Sequence, residues 1–247
     1  AVNDVQKASA CVRAGAFDYI VKPFDIDHIL EMARQLIARR RRQHLMSEME
    51  PQAPRLWSGQ TKPARDLKEK LTQAAAEDRP LLFVGEEGVE VEEAAHYVHR
   101  AGVRAAAPFE TYYVSPHIRA RTVMDALFGR GLGDFTSTVE RGLGLIEECR
   151  GGTLLLVHPE NLPVDVQEAL ARAFEEGLFT REGTLQRIKV DVRLMASTTV
   201  DVKDLIELKP ACARFFNLFG SPCITIPPLR QREGDIVTGH VQRFERG

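Results

Sequence analysis

Hydrophobic positions recur along this chain in two rhythms. One is helical, an apolar residue near every third or fourth place; the other is a short unbroken apolar run between turn residues. Residues 4–14, DVQKASACVRA, carry the helical rhythm and stop at Gly15, and FDYIVKPF follows as a short strand ended by Pro23. Asp25 or Asp27 is placed to cap the next helix, whose apolar face runs Ile29, Met32 or Ala33, Leu36 and Ile37. That helix ends in Arg39–Arg42, a charge run read as a solvated helix end rather than a nucleic-acid contact. SEMEPQAPRLWSGQTKPAR, which follows that helix, carries three prolines and weak periodicity, and a linker is placed at residues 47–58.

Beyond the linker, strand and helix signals alternate. RPLLFVGEEG reads as a strand entering a turn, and Val91–His99 as a helix. Leu82 and Val84 are expected to bury against Ala94 and Val98 of that helix, at roughly 25 cal/mol per Å² of apolar area. CRGGTLLLVHP predicts a second buried strand. PVDVQEALARAFEEG predicts a helix with Val166, Leu170 and Phe174 on one face and Gly177 as its stop. In RIKVDVRLMAST, Ile188, Val190, Val192 and Leu194 alternate before the segment becomes small and apolar, as one strand entering a sheet core would. Alternating β and α elements imply an α/β fold, a largely parallel sheet with helices on both faces.

Composition narrows the class without naming a function. The chain has 247 residues, 44% hydrophobic and 28% charged, enough for one large domain or a domain with a fragment. No apolar run is long enough to span a membrane, and the first residues, AVNDVQKASACVRAG, lack the basic start and apolar stretch of a signal peptide. Cys11, Cys149, Cys212 and Cys223 are widely spaced, which favours reduced thiols over a disulfide or zinc framework. A net charge of −2 offers DNA no overall electrostatic match.

Two parts of the chain resemble known families. AGAFDYIVKPFD, within residues 1–46, resembles the last third of a flavodoxin-like response-regulator receiver domain together with the helix that follows it. In that family the pair found here as Lys22-Pro23 ends the last strand, and the lysine contacts the phosphorylated site. Residues 59–228 resemble the αβ core of the AAA+ domain of sigma-54-dependent transcription activators, and 229–247 the start of its helical lid. ALFGRGLGDFTSTVERGLGLIEECRGGTLLLVHPENLP parallels the family's run from Leu-Phe-Gly through its G-A-F-T-G-A loop to the Walker B strand. VDVRLMASTT is similar to the sensor I strand, and IPPLRQREGDI to the entry into the lid. The resemblance implies a P-loop-type parallel sheet in a three-layer αβα arrangement.

The same resemblance exposes departures. The family's phosphate cradle is roughly G-E-S-G-T-G-K-E; here Gly85, Glu86, Glu87, Gly88, Val89, Glu90, Val91 and Glu92 stand in its place. A lysine–phosphate pair near a protein surface is worth ~3 kcal/mol at an effective dielectric of about 20, and a facing glutamate subtracts a similar amount. A micromolar nucleotide site rests on only about 8 kcal/mol, so this exchange is expected to push binding to millimolar or weaker. The Walker B Asp-Glu pair, which holds Mg²⁺ and polarises the attacking water, corresponds to Val157 and His158. The family's switch asparagine corresponds to Tyr113, its sensor I asparagine to Thr199, and its trans-acting arginines to Cys212 and Leu218, with Arg214 out of register. Phosphoryl transfer needs cation, metal and water positioned at once, so the joint loss is not repaired by one neighbour.

The family's sigma-54 loop becomes Gly133, Asp134, Phe135, Thr136, Ser137 and Thr138. Phe135 either remains a contact residue or folds back on its own domain. His96 and His99, three apart on one helix, carry no H-E-x-x-H pattern and are read as surface or packing residues. Arg230 and Arg232 are read as salt-bridge residues joining core to lid.

The expectation is therefore a bacterial cytoplasmic regulator whose degenerate AAA+ domain acts as a protein-interaction scaffold and not as an ATPase. No metal or cofactor is expected, weak ATP or ADP binding being the alternative. The partner would be sigma-54 RNA polymerase or an intact AAA+ relative, and a monomer or dimer is expected in preference to a hexamer. No DNA-recognition helix is visible in these residues. The rival readings are a working ATP-dependent activator with an atypical site, and a fragment of a longer response regulator.

Overall fold

The computed structural model describes residues 61–89, 91–129, 143–181, 186–220 and 223–232. The receiver-like stretch with Lys22 and Pro23, Arg39–Arg42, the linker, Glu90, the 133–138 loop and the lid beyond Arg232 lie outside these residues.

The first described helix, α1 (Lys62–Ala75), has Pro63 in its opening turn, where the missing N–H costs nothing. Its i, i+4 stripe Leu67, Leu71 and Ala75 is buried. Strand β1 (Leu81–Val84) leads through a turn to α2 (Val91–Ala101), with Glu92 and Glu93 in its first turn and Arg100 in its last, each favourable to the helix dipole. β2 (Phe109–Tyr113), α3 (Ala120–Phe128), the single turn α4 (Leu145–Glu148) and β3 (Thr153–Val157) follow. Next come a 3₁₀ turn at Pro159–Asn161, α5 (Val164–Glu176), β4 (Leu178–Thr180), β5 (Arg187–Lys189) and β6 (Arg193–Thr198). Helices α6 (Val202–Leu208) and α7 (Ala213–Asn217), strand β7 (Ile224–Thr225) and a 3₁₀ turn at Leu229–Gln231 complete the described chain.

Five strands form a wholly parallel sheet in the order β2-β3-β6-β1-β7, and β4 and β5 pair antiparallel as a separate hairpin. Each face of the sheet is covered. Leu81 and Phe83 of β1, Leu155 of β3 and Met195 of β6 pack with Leu67 and Leu71 of α1 and Ala94, Ala95 and Val98 of α2. Leu82, Leu154, Leu156, Leu194 and Ala196 pack on the other face with α3, α5 and α7 through Val123, Leu170 and Phe215. The three-layer α/β arrangement expected from the sequence is the one observed.

Two details differ from the expectation. Leu82 shares its cluster with α3 and α5, not with Ala94 and Val98, and partly buried Val84 packs on that same side; Leu81 and Phe83 face α2. A strand buried on both faces has no polar alternation to betray which of its residues face the helix. The stretch from Arg187 to Thr198 is also two strands in two sheets, not one. The break lies at Val190–Val192: the Val190 N–H donates to Gly177 O, and Asp191 O accepts from the Gly151 N–H at 2.7 Å, before β6 begins. Helix α5 ends as expected, with Gly177 left-handed at φ 70°. Among the described residues no helix is long and apolar enough to cross a membrane.

Candidate functional site

Because all five sheet strands run the same way, their C-terminal ends share one edge, where parallel sheets form their ligand crevices. That edge carries the β1–α2 turn from Gly85, Tyr113 at the end of β2, Val157 and His158 at the end of β3, and Thr199 after β6. The backbone stitches these ends together. The His158 N–H donates to Ser197 O at 2.9 Å, the Gly85 N–H to Thr198 O at 3.1 Å, and the Ile226 N–H to Val84 O at 2.8 Å.

The turn keeps its glycines for different reasons. Gly88 sits at φ +86°, where a side chain would be strained, whereas a Cβ on Gly85 would come 2.6 Å from the tip of Val89. Glu86 projects from the turn into a two-pronged ion pair with Arg230, which holds its carboxyl below the usual carboxylate range. Glu92, in the first turn of α2, accepts a hydrogen bond from the Tyr113 hydroxyl. Two of the acids around the turn are thus engaged from inside the protein, by residues from β2 and from beyond β7. Beside the turn lies an open groove of ≈ 420 Å³. Leu67 and Lys70 of α1, Val84, Thr199, Ile226 and Gln231 are among its lining residues.

Val157 belongs to the apolar cluster on the α1–α2 face. His158 adopts a left-handed backbone at φ 60°, and its half-exposed imidazole places Nδ1 3.1 Å from Glu160 Oε1. Glu160 is largely buried, and its Oε2 has no hydrogen-bond partner. The turn that carries this pair is fixed from below by Gln167, whose amide donates to Pro159 O and Leu162 O. Asn161 ties it to the end of β2 through Val114 O. Among the described residues no group of three or more His, Cys, Asp or Glu is arranged to hold a metal ion.

The other residues singled out in the sequence scatter. Cys212 is buried with its thiol against Lys209 O, and Leu218 packs on the α5–α7 core. Arg214 is exposed and paired with Glu175. His99 is buried and His96 stacks near Phe109, with ring centroids 4.0 Å apart, which fits the packing role read from their spacing. Sequence reading missed Glu160, although a carboxylate two residues after His158 was visible in VHPE. It also missed Glu86 as the partner of Arg230 and Glu92 as that of Tyr113, since no local pattern joins residues 144 or 21 apart.

Residues 57–217 match the sigma-54 interaction domain family, about two thirds of the chain. The chain belongs to that family. It is 31% identical over 235 residues to the DNA-binding transcriptional regulator NtrC of Salmonella typhimurium, covering 95% of this chain and 50% of that protein. The C4-dicarboxylate transport transcriptional regulatory protein DctD of Pseudomonas aeruginosa is 31% identical over 242 residues, covering 95% of this chain and 52% of that protein. Among solved structures, NtrX from Brucella abortus in complex with ATP superposes with a TM-score of 0.68 at 26% identity, over 95% of this chain and 53% of that one. Family membership accounts for the parallel AAA+ sheet. The chain spans about half the length of the curated relatives it matches.

Proposed function

We propose that this chain is part of a sigma-54-type response regulator whose AAA+ domain works as a protein-interaction scaffold and does not turn over ATP. The observation that carries this reading is the chemistry at the C-terminal ends of β1 and β3. The cradle's lysine place holds Val91, the metal-binding place holds Val157 in an apolar cluster, and the two-pronged grip of Arg230 is already on Glu86. A triphosphate and its magnesium need a cation beneath the phosphates and a free carboxylate for the metal. These residues do not fit that pair. The sheet and its helices stand without it, because fully burying a Leu or Phe side chain supplies about 1.5–3 kcal/mol.

The family and the relatives NtrC and DctD support sigma-54 RNA polymerase as the partner, and an intact AAA+ relative is the other protein this scaffold would join. The receiver-like residues 1–46, with Lys22 and Pro23, belong to the same reading, as do a bacterial cytoplasmic location and a monomeric or dimeric state. Steady-state phosphate release with Mg²⁺-ATP tests the central point. Background release is expected; turnover at about one per second or faster that disappears when Glu86 or Val157 is changed would overturn the scaffold and establish a working ATPase.

A further inference from the structure

The pair Glu86–Arg230 joins places 144 residues apart, and both carboxylate oxygens meet both terminal guanidinium nitrogens. Its surroundings fix what it does. After β7 the chain is held to β1 by the Ile226 N–H bond to Val84 O, and it is pinned again where Arg232 is buried. Between those points runs a single turn, closed by the Gln231 N–H bond to Pro228 O at 2.9 Å. Arg230 lies on that turn and reaches the β1–α2 turn, and Glu86 and Gln231 both line the open groove.

We propose that Glu86 and Arg230 form a latch that holds the segment following β7 over the β1–α2 turn, narrowing the groove without any ligand and opening as ionic strength rises. The proposal rests on reading this turn as one that takes no polyphosphate, since a bound anion would compete with Glu86 for Arg230. Both side chains are more than half exposed, at 52% and 64%. Such pairs are weak and salt-screened, and at 1 M salt the screening length falls to about 3 Å. A contact of this strength is populated both closed and open, which is what a latch requires. A buried pair in the same place would lock the segment permanently.

Hydrogen exchange on the 247-residue chain without nucleotide tests this directly, with the Gln231 amide as reporter and the Ile226 amide as control. At low salt, Glu86→Gln and Arg230→Gln are each expected to speed exchange at Gln231 about two- to five-fold, the range typical of exposed ion pairs. Ile226 should stay unchanged. The double variant should be no faster than either single, and the exchanged pair Glu86→Arg with Arg230→Glu should restore the slow rate. Raising sodium chloride to about 1 M should bring the unaltered chain to the Glu86→Gln rate. Additive effects, no effect, or acceleration by salt in Glu86→Gln equal to that of the unaltered chain would each overturn the latch. ATP turnover is read by a separate assay, so a failure of the latch is told apart from a failure of the scaffold reading.

Discussion

His99 of α2 joins the first residue of β3: its Nδ1 lies 2.9 Å from Thr153 Oγ1, and its Nε2 lies 3.1 Å from Ala107 O. A carbonyl only accepts, so the neutral ring carries its proton on Nε2 and accepts a hydrogen bond from the threonine hydroxyl at Nδ1. Burial, helped by repulsion from Arg100, Arg193 and Arg104, pushes the imidazole below its ordinary value of 6.5. The unfolded chain therefore takes up the proton first, and stability is complete above about pH 6.5. It declines as pH falls below that value and stops declining once the folded imidazole is charged. His99→Gln keeps an amide donor and acceptor but does not titrate. Melting curves from pH 7.5 to 5 should show a smaller loss for this variant than for the unaltered chain. His99→Ala, which strands the threonine and the carbonyl, should cost about 1–3 kcal/mol at pH 7.

At the same N-terminal edge of the sheet Arg104 grips Asp78 through Nε at 2.6 Å and Nη2 at 2.8 Å, and reaches Asp191 through Nη1 at 3.0 Å. The guanidinium holds the Asp78 carboxyl below its usual range, so this contribution is present above the unfolded aspartate value and is lost as pH falls through the folded one. Both aspartates are partly exposed, which keeps the sum small. Arg104→Ala should lower stability by about 1 kcal/mol, and Arg104→Lys should recover less than half, since an ammonium cannot make the two-pronged contact. Urea unfolding of the three proteins at pH 7 checks the order.

These contacts also explain what the sequence could and could not show. Helix α5 was legible because Val166, Leu170 and Gly177 are local signals, and β1 because an apolar run meeting Gly85 has few alternatives. The break at Val190–Val192 was hidden, since Ile188, Val190, Val192 and Leu194 keep period two across it. What bends the chain there is Asp191, held by the distant Gly151 N–H and by Arg104. The site followed the same division. The departures Val91, Val157 and His158 could be read by position, whereas Arg230 closing on Glu86 and Tyr113 on Glu92 are products of the fold.

Gly144 seats the chain entering α4 against the end of α3. A Cβ there would lie 2.3 Å from Leu127 O and 2.4 Å from the Gly129 nitrogen, so the returning chain presses against the end of α3 at backbone distance. Its φ of −79° is ordinary, and the glycine is needed for the approach alone. Gly144→Ala should therefore cost about 1–3 kcal/mol, as over-packing does, and thermal melting measures the loss. Gly85→Ala is the contrast: its one close approach, 2.6 Å, is to a side-chain atom, Val89 Cγ2, and not to backbone, so it should cost less.

The proposed loss of nucleotide chemistry can be tested by reversal. Val91→Lys alone supplies a cation but leaves Val157 and His158 where the metal and water need carboxylates, and it should change the melting temperature with Mg²⁺-ATP no more than the unaltered chain does. Adding Val157→Asp and His158→Glu places charge at all three positions, beside a turn that keeps Gly85 and a left-handed Gly88 at φ +86°. If that combination restores even a millimolar site, ligand at about five times its Kd stabilises the native state by about 1 kcal/mol. In a domain of this size that is a rise of roughly 2–4 °C. A shift of that size in the unaltered chain would show that Val91 and Val157 do not forbid the ligand, and the scaffold reading would fall. A shift in the triple variant without phosphate release would place the remaining obstacle at Tyr113, Thr199 or the arginine positions now held by Cys212 and Leu218, because binding needs only charge whereas turnover also needs the water and the trans-acting cation in place.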